Sequence, residues 1–241
     1  MKRIEYAAVA LMASAVMIGA SLAQAAEPTH PMSPTMKSTT PMGKMDAKRA
    51  DAYGRSLPGY FAKAKAEFLK QDSSGAASEI RAAQTWFKAE ADRATGERKD
   101  ALGAMARDLG GLAGRVEQKS AIMGSDLEHE FARAHEVLAR SYAVRASEMY
   151  AQKSFTDAGR DLTAAAMNFE RAAQWAGTKV EGSTLSSVTE ARKIGIELEH
   201  GKRPVAEAVQ KSIGDLRASI EKFGAEHPST PAQPATTPLV N

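Results

Sequence analysis

The 241-residue chain contains no cysteine, and aromatic residues make up only 6% of it. Without cysteine there is no disulfide, thiolate metal site, thiol chemistry or lipid-modified cysteine anchor. Proline falls mostly near the two ends, and long β-branched runs are absent. Alanine is abundant instead, which favours helices that pack closely through small side chains. The composition therefore predicts an all-α fold.

The chain also lacks a strong excess of charge of one sign. Charged residues make up 25% of the sequence, and the formal net charge is +3 at pH 7. Domains that bind nucleic acid concentrate Lys and Arg in a patch or along one helix. Here both signs are mixed along the whole sequence, so we expect no nucleic-acid partner.

The first 25 residues have the pattern of a secretory signal peptide. Lys2 and Arg3 give a positive start, residues 7–22 are almost wholly apolar, and residues 23–25 read Ala-Gln-Ala. This order of segments predicts cleavage after residue 25. The apolar run is shorter than the ~20 residues that a membrane-spanning helix usually needs. We therefore expect export to a bacterial periplasm, with secretion beyond it as the alternative, and no membrane span after cleavage.

Residues 26–47 and 225–241 are rich in Pro, Ser and Thr and show no apolar periodicity, which predicts a disordered leader and a disordered tail. The leader also contains soft metal ligands: His30, Met32, Met36, Met42 and Met45. Thioether sulfur and imidazole nitrogen suit Cu(I), so copper binding by the leader is one functional hypothesis. The plainer interpretation is that methionine is frequent in this chain, which has 11.

Between residues 48 and 224, apolar residues recur at spacings of three and four, which is the period of amphipathic helices. Polar and Gly-rich breaks divide this body into six to eight helices, arranged either as stacked hairpins or as a closed bundle. Inward-facing residues are predicted along every helix. They include Leu102, Leu109, Met123, Leu185, Val205 and Phe223.

Two helix starts carry capping signals. Ser73 or Ser74 follows a polar turn and is placed to cap the second helix. Ser125, with Glu128 three residues later, matches the capping box at the start of the fourth helix.

Gly110, Gly111 and Gly114 lie inside the predicted third helix. Glycine in a helix interior costs about 1 kcal/mol relative to alanine. A close crossing with another helix is a physical reason to keep them, and we expect one there.

A shift of 82 residues aligns the sequence with itself. The matched pairs include Tyr60 with Tyr142, Ala64 with Ala146, Ala76 with Ala158, Phe87 with Phe169, Phe131 with Ile213 and Leu138 with Ile220. At this shift the apolar positions align and the polar turns align as well. Two unrelated amphipathic helices rarely agree in both. We therefore predict a tandem duplication of a three-helix unit, with repeat one at about 58–138, repeat two at about 140–224, and the last helix as a cap.

The hairpins at 60–83 and 142–165 resemble tetratricopeptide (TPR) motifs, which alternate large and small residues at set spacing. In the second hairpin those places hold Tyr142, Ala146, Met149, Phe155, Ala158, Leu162 and Ala165. The first hairpin has Ser73 where Phe155 stands, and Glu170 stands where the closing proline of the family belongs. The resemblance implies stacked helical hairpins with a surface that suits peptides.

The chain is also similar to YfdX-like exported bacterial helical proteins. The shared features are a signal peptide, a low-complexity leader, no cysteine, and paired helices separated by a polar turn. This similarity implies a periplasmic helical protein and assigns no site residues.

A search for chemistry leaves one segment, residues 128–136, with two histidines among acidic side chains. His129 and His135 are six residues apart, so they do not share the helix face that a metal pair needs. We predict a solvated charged face there. No nucleophile and base, and no set of metal ligands, occurs at usable spacing, so we expect neither an enzyme nor a cofactor. An enzyme built from polar residues of separate helices is the alternative.

The sequence therefore favours a non-catalytic exported helical protein that binds another protein or a peptide, for example as a stress or assembly accessory. Stacked hairpins form extended surfaces that suit such partners. Aromatic residues anchor many interfaces, and the candidates here are Tyr60, Trp86, Tyr142 and Trp175. The competing interpretation is that both tryptophans seal the edge of the core. The pattern predicts no particular oligomeric state.

Overall fold

Seven α-helices and no strand form the regular structure of the part of the chain that the computed structural model describes, residue 57 and residues 59–228. The helices are α1 (59–69), α2 (Ser73–Arg93), α3 (Gly96–Glu117), α4 (Gly124–Ala151), α5 (Phe155–Trp175), α6 (Gly182–Glu199) and α7 (Ala206–Glu226). The predicted all-α class is confirmed. The predicted signal peptide, the leader and residues 229–241 of the tail lie outside the described residues.

From α2 to α6, each helix packs most extensively on a neighbour in sequence. The most extensive pairs are α4 with α5, α2 with α3 and α5 with α6, and α7 packs against α4 and α6. Buried side chains form two clusters that divide within α4, between Leu138 and Ala139. The first cluster joins α1, α2 and α3 to the first half of α4, and the second joins the rest of α4 to α5, α6 and α7.

The helix boundaries repeat with the shift seen in the sequence. The starts and ends of α2 and α5, the ends of α3 and α6, and the starts of α4 and α7 are each 82 residues apart. Because α1 covers 59–69, its equivalent in the second repeat is the last part of α4, residues 141–151. One continuous 28-residue helix therefore ends the first repeat and begins the second.

The turns repeat as well. Gln71 and Lys153 are equivalent and have φ of 64° and 61°, while Lys119 and Gly201 are equivalent and have φ of 53° and 77°. Each of these four residues follows a helix end and donates its N–H to a carbonyl three residues earlier. A left-handed residue at this position closes a helix by satisfying its last carbonyl groups. Each repeat therefore contains this helix C-terminal turn twice.

Three predicted core residues are exposed, and each lies at a helix start. Met123 is 67% exposed, Leu185 48% and Val205 74%. Met123 and Val205 are the N-cap residues of α4 and α7, so the helical spacing that places later residues inward no longer applies to them. Gly224 does not end α7 as predicted, because the helix continues to Glu226.

Both predicted N-caps, Ser73 or Ser74 for α2 and Ser125 for α4, are wrong for the same reason. Each helix begins earlier in the sequence than a serine cap requires. Asp72 caps α2, and its carboxylate accepts the N–H of Gly75 at 2.8 Å. At the start of α4, Asp126 accepts the N–H of Met123 at 2.7 Å. Ser125 therefore lies inside the first turn of α4 and is not its cap.

The prediction of a close helix crossing at the three glycines of α3 is wrong. A Cβ added at Gly111 or Gly114 would meet nothing within 4 Å, and one at Gly110 would meet only a flexible glutamine side chain. The close crossing is between α5 and α6, where a Cβ on Gly159 would lie 2.5 Å from the carbonyl oxygen of Gly195. Only a residue without a side chain fits at such a distance.

Candidate functional site

A small cleft lies where the end of α2, the start of α3 and the middle of α4 meet. Its volume is about 40 Å³. Its lining combines three arginines with one aromatic residue and a few small or acidic side chains: Glu90, Arg93, Ala94, Arg98, Leu102, Leu138, Ser141, Tyr142 and Arg145. Drug-sized ligands need pockets of ~300–1,000 Å³, so this cleft admits a group of a few atoms.

Each guanidinium in the cleft pairs with a carboxylate. Arg93 pairs with Glu90 at 2.5 Å, Arg98 with Glu148 at 3.5 Å, and Arg145 with Asp161 at 2.9 Å. The three pairs differ in quality. The distance between Arg98 and its carboxylate partner is the longest of the three. Only 15% of the Arg98 side chain is exposed to solvent.

Arg98 also has an unsatisfied donor. Its Nε–H is buried and has no hydrogen-bond acceptor among the described residues. A buried donor without an acceptor costs about 1–3 kcal/mol. Arg98 lines the cleft, and its planar guanidinium matches the two oxygens of a carboxylate.

Asp161 lies behind Arg145 and has only 5% of its side chain exposed. Burial raises the pKa of this carboxyl from 3.8 to about 7, and the nearby Asp157 acts in the same direction. The positive charges of Arg145 and Arg98 oppose the increase. Near neutral pH the carboxyl is therefore partly protonated, and Arg145 then lacks a full counter-charge.

The second repeat serves as an internal comparison for the cleft. At the shift of 82 residues, its equivalents of the arginines are Trp175 for Arg93, Val180 for Arg98 and His227 for Arg145. Trp175 packs its ring edge-on against Phe131 at 5.2 Å between centroids. Val180 precedes α6 and His227 follows α7, whereas Arg98 and Arg145 lie inside helices, so the second repeat has no equivalent of this cleft.

All four predicted anchor residues are half-buried and pack against the first core cluster, but the structure does not gather them at one place. Tyr142 alone lines the cleft. Trp86 packs against Phe87 at 5.2 Å, and Lys65 lies 5.6 Å from the ring of Trp175. Tyr60 lies on α1. The binding role of these residues stays a prediction.

The predicted solvated face on α4 is wrong for two of its residues. His135 is fully buried and Glu136 is 8% exposed. His135 Nδ1 lies 2.9 Å from Asn168 Oδ1, and its ring packs edge-on against Phe61. Because Asn168 uses its amide N–H₂ on the carbonyl of Ala164, its Oδ1 accepts the proton of His135. The many charged residues of the segment suggested an exposed helix face, but α5 packs over His135.

Burial lowers the pKa of His135 from 6.5 to about 4. The Asn168 hydrogen bond opposes this decrease, while the positive charge of Arg171 adds to it. The ring is therefore neutral at pH 7, and it serves packing between α4 and α5.

Within 57 and 59–228, no group of three or more His, Cys, Asp and Glu side chains is arranged to hold a metal ion. The candidate copper ligands of the leader, from His30 to Met45, lie outside those residues. No helix in the described part of the chain is both long and apolar enough to cross a membrane.

Sequence reasoning did not select Arg93, Arg98, Arg145 or Asp161. A comparison of the two repeats does not single them out either, because the exposed Arg107 also changes, to Thr189. Asp161 carries no signal in the sequence, because its burial depends on how α4 packs on α5. No family model matches the chain, and no curated protein and no solved structure matches it. The resemblances to TPR hairpins and YfdX-like proteins therefore stay predictions.

Proposed function

We propose that the protein is a non-catalytic, exported helical protein that binds another protein or a peptide, and that the partner docks at the arginine-lined cleft. The observation that carries the proposal is the convergence of three guanidinium groups from three helices at one small surface cleft: Arg93, Arg98 and Arg145. Such a cluster of cations beside an aromatic side chain is suited to an anionic group of a partner.

The chemistry of the cleft supports a macromolecular partner rather than an isolated small molecule. Its volume of about 40 Å³ admits one functional group. Most of the contact area of a ligand would then lie outside the cleft, on the surrounding helix surfaces, as in interfaces where one buried anchor is surrounded by broader contacts. Tyr142 lies at this boundary and would pack against the partner.

The export part of the proposal rests on residues 1–25, which have the segment order of a signal peptide. N-terminal sequencing of protein from a periplasmic fraction tests it. The expected first residue is Ala26, and a full-length chain retained in the cytoplasm would contradict export.

Site-directed photo-crosslinking tests the binding part. A photoreactive amino acid replaces Tyr142 in one strain and Arg217, which is exposed on α7, in a control strain. Irradiation of cells followed by mass spectrometry should give a reproducible adduct from position 142 that the control lacks. No adduct, or the same adducts from both positions, would contradict docking at the cleft.

A further inference from the structure

We propose that the cleft binds one carboxylate group of a peptide, held by Arg98 and Arg145. This inference rests on the proposed function and names the chemical group that the partner presents. The ligand is either an Asp or Glu side chain or a chain terminus, since both offer the same two oxygens.

Arg98 is poorly satisfied by the residues around it. Its guanidinium is largely buried, its one carboxylate partner is 3.5 Å away, and its buried Nε–H has no acceptor among the described residues. A ligand carboxylate in the cleft that this side chain lines adds a charge-assisted hydrogen bond to a guanidinium whose carboxylate partner is distant.

The charge of the cleft also favours an anion. Three guanidinium groups lie at the cleft, and Asp161, the partner of Arg145, is buried and partly protonated near neutral pH. With Asp161 protonated, Arg145 lacks a full counter-charge, which favours binding of an anion. Asp161 contacts the Nε of Arg145, so the terminal amino groups of that guanidinium remain for a ligand.

The size of the cleft also fits a carboxylate, since a space of about 40 Å³ admits a group of a few atoms. Arginine recognises the planar carboxylate through two parallel hydrogen bonds. Arg98 from α3 and Arg145 from α4 approach the cleft from different helices, so together they fix the orientation of the bound group.

Carboxylate binding is then coupled to proton uptake. A second carboxylate near Arg145 makes the ionised form of Asp161 less favourable, because like charges repel. The other charged groups near Asp161 are Asp157 on its own helix and Arg98 on α3. Binding is therefore stronger below the pKa of about 7 than above it.

The test is a nuclear magnetic resonance titration of the mature protein with three small probes. N-acetylglutamine carries a main-chain carboxylate, N-acetylglutamate α-amide carries a side-chain carboxylate, and N-acetylglutamine amide carries none. We expect saturable shifts at Arg98, Tyr142 and Arg145 with at least one of the first two probes and none with the third. The better probe identifies the source of the carboxylate. Absence of saturable shifts with both would overturn the inference.

Variants make the test specific. Arg98→Gln should weaken binding about tenfold or more, the loss expected for a hydrogen bond to a charged group. Arg107→Gln, on the exposed side of the same helix, should leave it unchanged. Arg145→Gln, whose native side chain is 39% exposed, provides a second variant if Arg98→Gln unfolds. Equal affinity in the wild type and both cleft variants would also contradict the inference.

The pH dependence supplies a further readout. Affinity should fall as the pH rises from about 6 to about 8 in the wild type and stay flat in Asp161→Asn. An adduct from position 142 without carboxylate binding would leave the proposed function standing and refute this inference. Carboxylate binding without any adduct would support this inference and contradict the docking of a protein or peptide partner at the cleft.

Discussion

The carboxylate of Asp161 lies 2.9 Å from Nε of Arg145, yet its pKa is about 7. An ion pair at that distance ordinarily lowers the pKa of an acid. Here burial between α4 and α5 disfavours the charged form by more than the single arginine stabilises it. The pair is therefore held by packing, and it titrates in the physiological range.

Replacement of Asp161 by Asn should change how stability depends on pH. In the wild type the folded pKa exceeds the ordinary 3.8, so the stabilisation present at low pH is lost as pH rises towards 7. The variant cannot ionise at this position and keeps its stability. Its advantage over the wild type should grow by up to about 1.4 kcal/mol per pH unit between about pH 4 and 7. Urea unfolding at several pH values measures this, and a constant difference would contradict the assignment.

Replacement of His135 by Asn should have the opposite effect. Asn keeps a donor for Asn168 but removes the titrating ring. The folded pKa of His135 is about 4, below the ordinary 6.5, so the wild type loses stability as pH falls from 6.5 to 4. The wild type should therefore lose stability relative to the variant on acidification. Parallel stability curves over that range would show that the ring does not titrate as described.

Replacement of Gly159 by Ala should destabilise the protein by about 1–3 kcal/mol, because the new Cβ would meet the backbone of α6. Gly111→Ala is the matched control, since a Cβ there meets nothing within 4 Å. The control should gain about 1 kcal/mol from helix propensity. Thermal unfolding of both variants checks the pair, and a stabilised Gly159→Ala would contradict the close crossing.

The repeat predicts the outcome of exchanging residues between equivalent turns. Lys119 has φ of 53° where the second repeat has Gly201 at 77°. Left-handed backbone costs about 1–2 kcal/mol for residues with a side chain. Lys119→Gly should therefore stabilise the protein by a fraction of that amount, since glycine also loses more entropy on folding. Gly201→Ala should destabilise it. Effects of the same sign in both variants would contradict equivalence of the turns.

Most helix boundaries could be predicted from the sequence because polar turns interrupt the apolar spacing. The same turns recur 82 residues later, which supports both sets of boundaries. The sequence-based predictions were wrong where the environment of a residue depends on the helix packed against it. Gly111 and Gly159 are alike as single residues, and only packing decides which one meets a backbone. His135 belongs to a charged segment, but Asn168 of another helix covers it.

The cleft could not be read from spacing because its arginines come from three helices that are distant in sequence. Arg93, Arg98 and Arg145 meet only once α2, α3 and α4 are packed. A charged residue on an amphipathic helix normally faces solvent, and nothing local distinguishes Arg98 from the exposed Arg107. The second repeat does not mark these arginines either, because the position equivalent to Arg107 is Thr189.

The most direct measurement of the central claim is the location of the crosslink formed from position 142 in cells. Sequencing of the adduct by mass spectrometry identifies the partner peptide attached to it. The account predicts a reproducible peptide with an Asp, a Glu or a chain terminus next to the attachment point, and loss of the adduct when Arg98→Gln is added. A peptide without any carboxylate near the attachment point, or an adduct that persists in Arg98→Gln, would contradict the account.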